Sequence, residues 1–363
     1  MKISVKCFND QEIVSRIESF KKYGDCNITG RKNVLVYDTD SDDYLQGIFN
    51  KVLSSYTTDK NIIDNTAADK KVFIKDDILQ KWNIFNEINA SQAYQILKAL
   101  SSDLYESNPA LFDEPVVDIA LSDTPYLERS SILKGKNWED FVNELKHDNR
   151  FHTNFINEDK FKILCTYMRK VYKKGTKFYR GRIVDKKCYT KNEMGAPPQD
   201  KASEGRANST GISRLYLASD KKTTLHELRA GAYDLITIGV FELLQDIVVV
   251  DMKMIDKISP FIEGLDPRLL SINRECLNKI NEEISKPLRK NDSSLDYVPT
   301  QYIVDLIHSF TNENKYEYDG VEYKSTLNPS GFNLAIFNPK LCRCKRVFTY
   351  RVSELNYLTD PKI

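Results

Sequence analysis

A small set of polar residues spread over the second half of the chain has side chains that could do chemistry. Arg180 and Arg182 follow Tyr179 at a strand signal. Arg206 and Asn208 belong to the glycine-flanked loop Gly205-Arg-Ala-Asn208, and Tyr216 lies in the strand signal beyond it. Glu227 falls on a short helix that begins after Ser219-Asp220, Ser325 ends a strand, and Asn333 opens the next strand beyond Gly331. Guanidinium groups grip anions, a carboxylate opposes a developing cation, and hydroxyl or amide groups fix a substrate by hydrogen bonds. Taken singly, each residue has a plain alternative. An arginine after an aromatic is usually a surface cation, a mid-helix glutamate is usually solvated, and Arg180 with Glu227 can form an internal salt bridge. Asn333 can equally cap a turn. Arg182 and His226 read as structural.

Other chemistries lack their signatures. No GxGxxG follows a strand, and no GxxxxGK[ST] occurs, which removes dinucleotide-fold dehydrogenases and P-loop nucleotidases. HExxH and GxSxG are absent as well, and no RxxxxH pair supports RNA cleavage. Lys and Arg number 53 against 52 Asp and Glu, so a net charge of +1 provides no global field toward nucleic acid or membrane. The basic run from Lys340 to Arg346 reads as a solvated strand edge. The opening residues lack a secretory apolar stretch, and no segment approaches the ~18 apolar residues of a membrane span. A soluble cytoplasmic protein is expected. Seven scattered cysteines without a signal segment read as free thiols. Cys342 and Cys344 are expected to be neighbours on one strand, and Arg150-Phe-His152 to be a surface turn.

The elements that must position these residues divide the chain into three segments: a small α/β segment over 1–75, a helical accessory domain over 76–176, and a catalytic domain over 177–363. In the first, strand signals at Lys2 to Lys6 and Asn33 to Tyr37 flank helical patterns at Asp10 to Tyr23 and Ser41 to Tyr56. In the second, Ser91 can cap a helix carrying Ala93, Ile96, Leu97, Leu100 and Leu104 on one face. A helix is expected over Asn137 to His147, and another over Glu158 to Lys174, closed by Gly175 as its C′ residue. The third segment alternates short strands with few helices: Leu215 to Ala218, a helix from Thr223 to Ala230, Leu235 to Phe241, and Asp246 to Met252. A helical insertion at ~268–290 and a helix opened by Pro299 precede strands at Val321 to Ser325, Phe332 to Phe337 and Arg346 to Val352. This pattern predicts an α+β fold.

The order of the short motifs adds what no single residue carries. Tyr179-Arg-Gly-Arg182, Met194-Gly-Ala-Pro-Pro198, Gly205-Arg-Ala-Asn208, Leu215-Tyr-Leu-Ala218 and Thr224-Leu-His-Glu227 are followed by Thr300-Gln301, Tyr323-Lys-Ser325 and Gly331-Phe-Asn333. Together they resemble the RES domain, named for its Arg, Glu and Ser, over roughly residues 177–340. The resemblance implies a mixed α/β domain like that of ADP-ribosyltransferases beside a mainly helical N-terminal domain. It implies a bacterial toxin or defence enzyme that consumes NAD⁺ as its substrate, by hydrolysis or phosphorolysis, or that transfers ADP-ribose to a protein. It also implies, as partners, an antitoxin or other regulatory protein and a second copy in a homodimer.

On this reading Arg180, Glu227 and Ser325 are the catalytic set, and Tyr179, Arg206, Asn208, Tyr216 and Asn333 bind the dinucleotide. Arg180 and Arg206 would hold the pyrophosphate. Tyr179 and Tyr216 would pack on nicotinamide, and Glu227 would oppose positive charge at ribose C1′. Ser325 would hydrogen-bond ribose or the nicotinamide amide. The alternative from another class is a dinucleotide sensor without catalysis. Lys6-Cys-Phe-Asn-Asp10 and Trp138-Glu-Asp-Phe141 are similar to segments of the HEPN/RES N-terminal regions of some RES proteins. Relatives can carry a small zinc module there. Here Cys7 and Cys26 supply two ligands where zinc needs four, so no metal is expected.

Overall fold

The structure is a computed structural model that describes residues 1–58, 71–185, 187–286, 293–313 and 315–354. By contacts the chain splits into two units, one of Met1–Lys136 with Ile255–Glu275 and one of Asn137–Met254 with Cys276–Ile363. The three segments drawn from sequence character divide the chain by a different criterion.

In the first unit β1 (Lys2–Ser4), β2 (Tyr23–Gly24) and β3 (Val34–Asp38) form an antiparallel sheet in the order β1-β3-β2. The helix Gln11–Phe20 starts where the Asp10 carboxylate accepts from the backbone of Glu12 and Ile13, and it buries Ile13 and Ile17 one turn apart. The helix Ala90–Leu100 buries Ala93, Ile96, Leu97 and Leu100, as its spacing predicts. Its cap is Asn89 and not Ser91: Asn89 and Gln92 exchange side-chain-to-backbone bonds in a capping box. A short ladder joins β4 (Tyr56–Thr57) to β5 (Val117–Asp118).

The second unit is built on an eight-stranded mixed sheet. Its strands are β6 (Arg169–Tyr172), β7 (Lys177–Ile183), β8 (Leu215–Ala218), β9 (Leu235–Leu243) and β10 (Ile247–Asp251), with three more near the end of the chain. A separate hairpin, β11 (Thr311–Asn312) and β12 (Lys315–Tyr316), precedes β13 (Gly320–Lys324), β14 (Phe332–Ile336) and β15 (Cys342–Arg351). The sheet order is β15-β9-β7-β8-β14-β13-β10-β6. Among the described residues, only β10 and β13 pair in parallel. One apolar core gathers Phe178, Leu215, Leu217, Phe241, Leu334 and Ile336 at alternate strand positions. The basic run opens β15 at the sheet's edge, and Cys342 and Cys344 both pack at this core. Farther along the sheet the fully buried Glu322 carboxylate is met by Lys170 at 2.9 Å, by the Tyr172 hydroxyl at 2.6 Å and by Lys253, which neutralises it.

One sequence expectation fails here. The helix expected over Glu158 to Lys174 ends at Tyr167, and Arg169–Tyr172 becomes β6, paired antiparallel with β10. Helical periodicity continues through the segment, but an open sheet edge offers Arg169–Tyr172 a full ladder that local propensity does not see. Gly175 therefore lies in the β6–β7 turn. Of the insertion expected at ~268–290, Pro267–Ser285 is helical and 287–290 lies outside the described residues.

The junction of β7 with β8 positions the site. The two strands share a single register pair, Tyr179 with Ala218, and β7 continues beyond it beside β9 alone, with Arg180 opposite Gly239. The helix Lys221–Leu228 follows β8 and packs on β7. Gly181 makes that approach possible, because a Cβ there would meet Leu228 Cδ1 at 2.4 Å and Thr224 Cγ2 at 2.7 Å. Gly181→Ala is expected to displace this helix and destabilise the protein by about 1–3 kcal/mol, the usual range for overpacking. A urea midpoint with unchanged slope tests it.

Candidate active site

Where β7 parts from β8 a cavity of about 470 Å³ opens, lined by Arg180, Arg206, Asn208, Tyr216, Glu227 and Asn333 of the expected set. A smaller one of about 250 Å³ adjoins the same gap and adds Tyr179. Glu227 comes from the helix, whose N-terminus is fixed by the Asp220 carboxylate accepting from the Thr223 backbone at 2.8 Å. Ser325 lines neither cavity, yet it reaches the site: its hydroxyl donates to Glu227 Oε1 at 2.7 Å. The Asn333 amide donates to the same oxygen at 2.8 Å, so its cap role is displaced by a contact in the site. Glu227 Oε2 has no partner among the described residues.

Arg180 is the opposite case. Its Nη1 is buried without a hydrogen-bond partner, and no ion pair joins Arg180 to Glu227. Burial, with Arg182 close by, pushes the guanidinium down to about 10. The internal salt bridge considered for these two residues is therefore absent. Tyr216 and Asn208 are tied to each other: the Tyr216 hydroxyl donates to Asn208 Oδ1 at 2.6 Å and accepts from the Ala207 backbone at 3.1 Å. The Asn208 amide donates to the Ser203 and Ser209 carbonyls. These bonds shape the loop that walls the cavity, while the Tyr216 ring still faces it. Arg206 donates from Nη1 to the Glu283 carbonyl at 3.0 Å and lies 5.3 Å from the Tyr297 ring. Arg182, expected to be structural, stacks over Tyr189.

The residues missed by sequence reasoning are Tyr323, Arg214, Arg229 and Gln301. Tyr323 lines both cavities, and burial drives its phenol well above the ordinary range, with Tyr216 and Glu227 adding to the effect. Gln301 donates to the Gly205 and Asn208 carbonyls and clamps the same loop. Both belong to motifs quoted above, which signals importance without indicating a role. Arg214 is held by the Phe337 carbonyl, by Asp305 at 3.1 Å and by His308 Nδ1 at 3.3 Å.

His308 itself lies between the Tyr316 and Phe337 rings, and burial with Arg214 pushes its imidazole down to about 4. The unfolded chain takes up that proton near the ordinary value of about 6.5. Stability is therefore full above about 6.5 and is lost as pH falls toward 4. Urea midpoints from pH 7 to 4 are expected to fall, and to fall less in His308→Gln. Asp305, whose pKa burial raises, contributes with the opposite sign and cancels in that comparison.

Residues 181–360 match the family model of the RES domain, beginning one residue after Arg180. This segment is a RES domain. RES domains are known for NAD⁺-related toxin activity. The RES match does not reach the first half of the chain, where the likeness to HEPN/RES regions rests on the quoted segments. No curated protein and no solved structure matches the chain. No described helix is long and apolar enough to cross a membrane. Cys7 and Cys26 lie in the first unit, outside the RES domain, buried with their sulfurs 3.9 Å apart.

Proposed function

We propose that this chain binds NAD⁺ and breaks its nicotinamide–ribose bond. The observation that carries the proposal is Arg180: a half-buried arginine whose Nη1 is buried without a partner, at the wall of a cavity that also holds a carboxylate already aimed by two donors. A buried cation without compensation is costly, and an anionic ligand group supplies the compensation. A pyrophosphate matches the guanidinium fork in charge and geometry. Glycosidic cleavage then develops positive charge at ribose C1′, which the free Oε2 of Glu227 opposes while Ser325 and Asn333 hold Oε1. Nicotinamide departs neutral, so no strong acid is needed. Tyr179, Tyr216 and Tyr323 offer aromatic faces to the rings.

The test is mass analysis of products from NAD⁺ and purified protein, with and without phosphate. Nicotinamide with ADP-ribose would identify water as acceptor, nicotinamide with ADP-ribose 1″-phosphate would identify phosphate, and label retained on protein would identify ADP-ribosyl transfer. Binding of NAD⁺ with no nicotinamide released would replace the enzyme by a dinucleotide sensor.

A further inference from the structure

The contacts that hold Glu227 do not end at Ser325. The Ser325 hydroxyl gives its one proton to the Glu227 carboxylate, an acceptor, while its own oxygen accepts from the Asn328 backbone at 3.2 Å. Asn328 is buried, and its side-chain amide donates to Thr223 Oγ1 at 2.8 Å. The Thr223 hydroxyl, fully buried, donates in turn to the Asp220 carboxylate at 2.8 Å. An amide nitrogen can only donate and a carboxylate only accept, so the Thr223 hydroxyl between them accepts from Asn328 and donates to Asp220. The line also closes on itself. Asp220 caps the helix that bears Glu227, and Thr223 lies one turn before Glu227 on that helix. The β13–β14 loop is thus clipped to the helix at both ends of the carboxylate's support. Its fit is tight: a Cβ at Gly331 would lie 1.9 Å from Thr223 Oγ1 and 2.9 Å from Asn328 Nδ2.

We propose that Asp220, Thr223 and Asn328 form a positioning relay that sets the Ser325 hydroxyl and, through it, the orientation of the Glu227 carboxylate during nicotinamide–ribose cleavage. The proposal rests on the reading of the cavity as an NAD⁺ site. None of the three touches substrate. Their effect is geometric, and misplacement of a reacting group by a fraction of an ångström is enough to slow a reaction by tenfold or more.

The experiment compares Thr223→Val, Thr223→Ser and Asn328→Ala in the full chain by nicotinamide release. Thr223→Val keeps the shape and removes the hydroxyl. It is expected to lower kcat about tenfold or more with KM within about twofold, while Thr223→Ser stays within about twofold of the unaltered protein. Asn328→Ala is expected to follow Thr223→Val. Equal kcat in all three, or a change confined to KM, overturns the relay. Amide exchange over residues 325–331 supplies a readout independent of activity. Faster exchange there in Thr223→Val, and not in Thr223→Ser, is expected, and unchanged exchange overturns the relay. A protein that releases no nicotinamide in its unaltered form overturns the cleavage reading, and the exchange result still decides whether Thr223 holds the loop.

Discussion

Arg180→Met is expected to lose NAD⁺ binding by about 10²–10³-fold and, in the same protein, to raise resistance to unfolding. The two effects have one origin. The Arg180 side chain is half-buried, with Nη1 buried and unpartnered and its pKa pushed down to about 10. Methionine of similar length removes that desolvated charge and fills the space with apolar atoms. Replacing buried charge in this way stabilises by about 1–3 kcal/mol. The affinity loss is the value of two charge-assisted hydrogen bonds, each about 1.5–3 kcal/mol, offset in part by solvation of the free ligand. Calorimetric titration with NAD⁺ and a urea midpoint read the two arms. A variant that binds poorly and also unfolds more easily would make Arg180 a structural residue with a partner in solution.

Glu227→Gln is expected to separate binding from catalysis. The glutamine carbonyl can still accept from Ser325 and Asn333, as Oε1 does now at 2.7 and 2.8 Å. What disappears is the negative charge that the proposed cleavage places opposite C1′. Loss of one preorganised electrostatic contact lowers kcat by about 10²–10³-fold, with KM for NAD⁺ changed by less than about threefold. Glu227 is exposed, so stability should stay within about 0.5 kcal/mol. Undiminished turnover would transfer the stabilising role to another group, and an equal loss in KM would make Glu227 a binding residue.

The sequence revealed the order of elements in the second unit better than their purpose. Strands at 215–218, 247–251 and 332–336 follow from apolar alternation bounded by turn residues, and they fall within a residue or two of the expected limits. The motif order groups Arg180, Glu227 and Asn333 in one set, and all three line one cavity. Other features depend on partners far along the chain. Arg169–Tyr172 has a helical apolar period and becomes a strand because β10 offers it a ladder. The attachment of Ser325 to Glu227 spans 98 residues, and that of Thr223 to Asn328 spans 105. Nothing local marks either pair. The resemblance makes Tyr216 and Asn208 dinucleotide-binding residues; nothing in it shows that their polar atoms hold each other, as a glycine-containing loop needs internal hydrogen bonds to keep a shape. Tyr323 stands in a quoted motif two residues before Ser325; of the two, Tyr323 lines the cavities from within β13, while Ser325, just past the end of that strand, turns to Glu227.

The single ladder pair between β7 and β8 gives the sheet the character of two leaves on one hinge pin. One leaf, β15-β9-β7, brings Arg180, and the other, from β8 to β6, brings Tyr216, Tyr323 and Asn333. A molecule gripped by both leaves becomes the rung that the backbone leaves out. Occupancy and cohesion of the fold are then one variable: the site is a seam, and whatever fills it acts as the stitch.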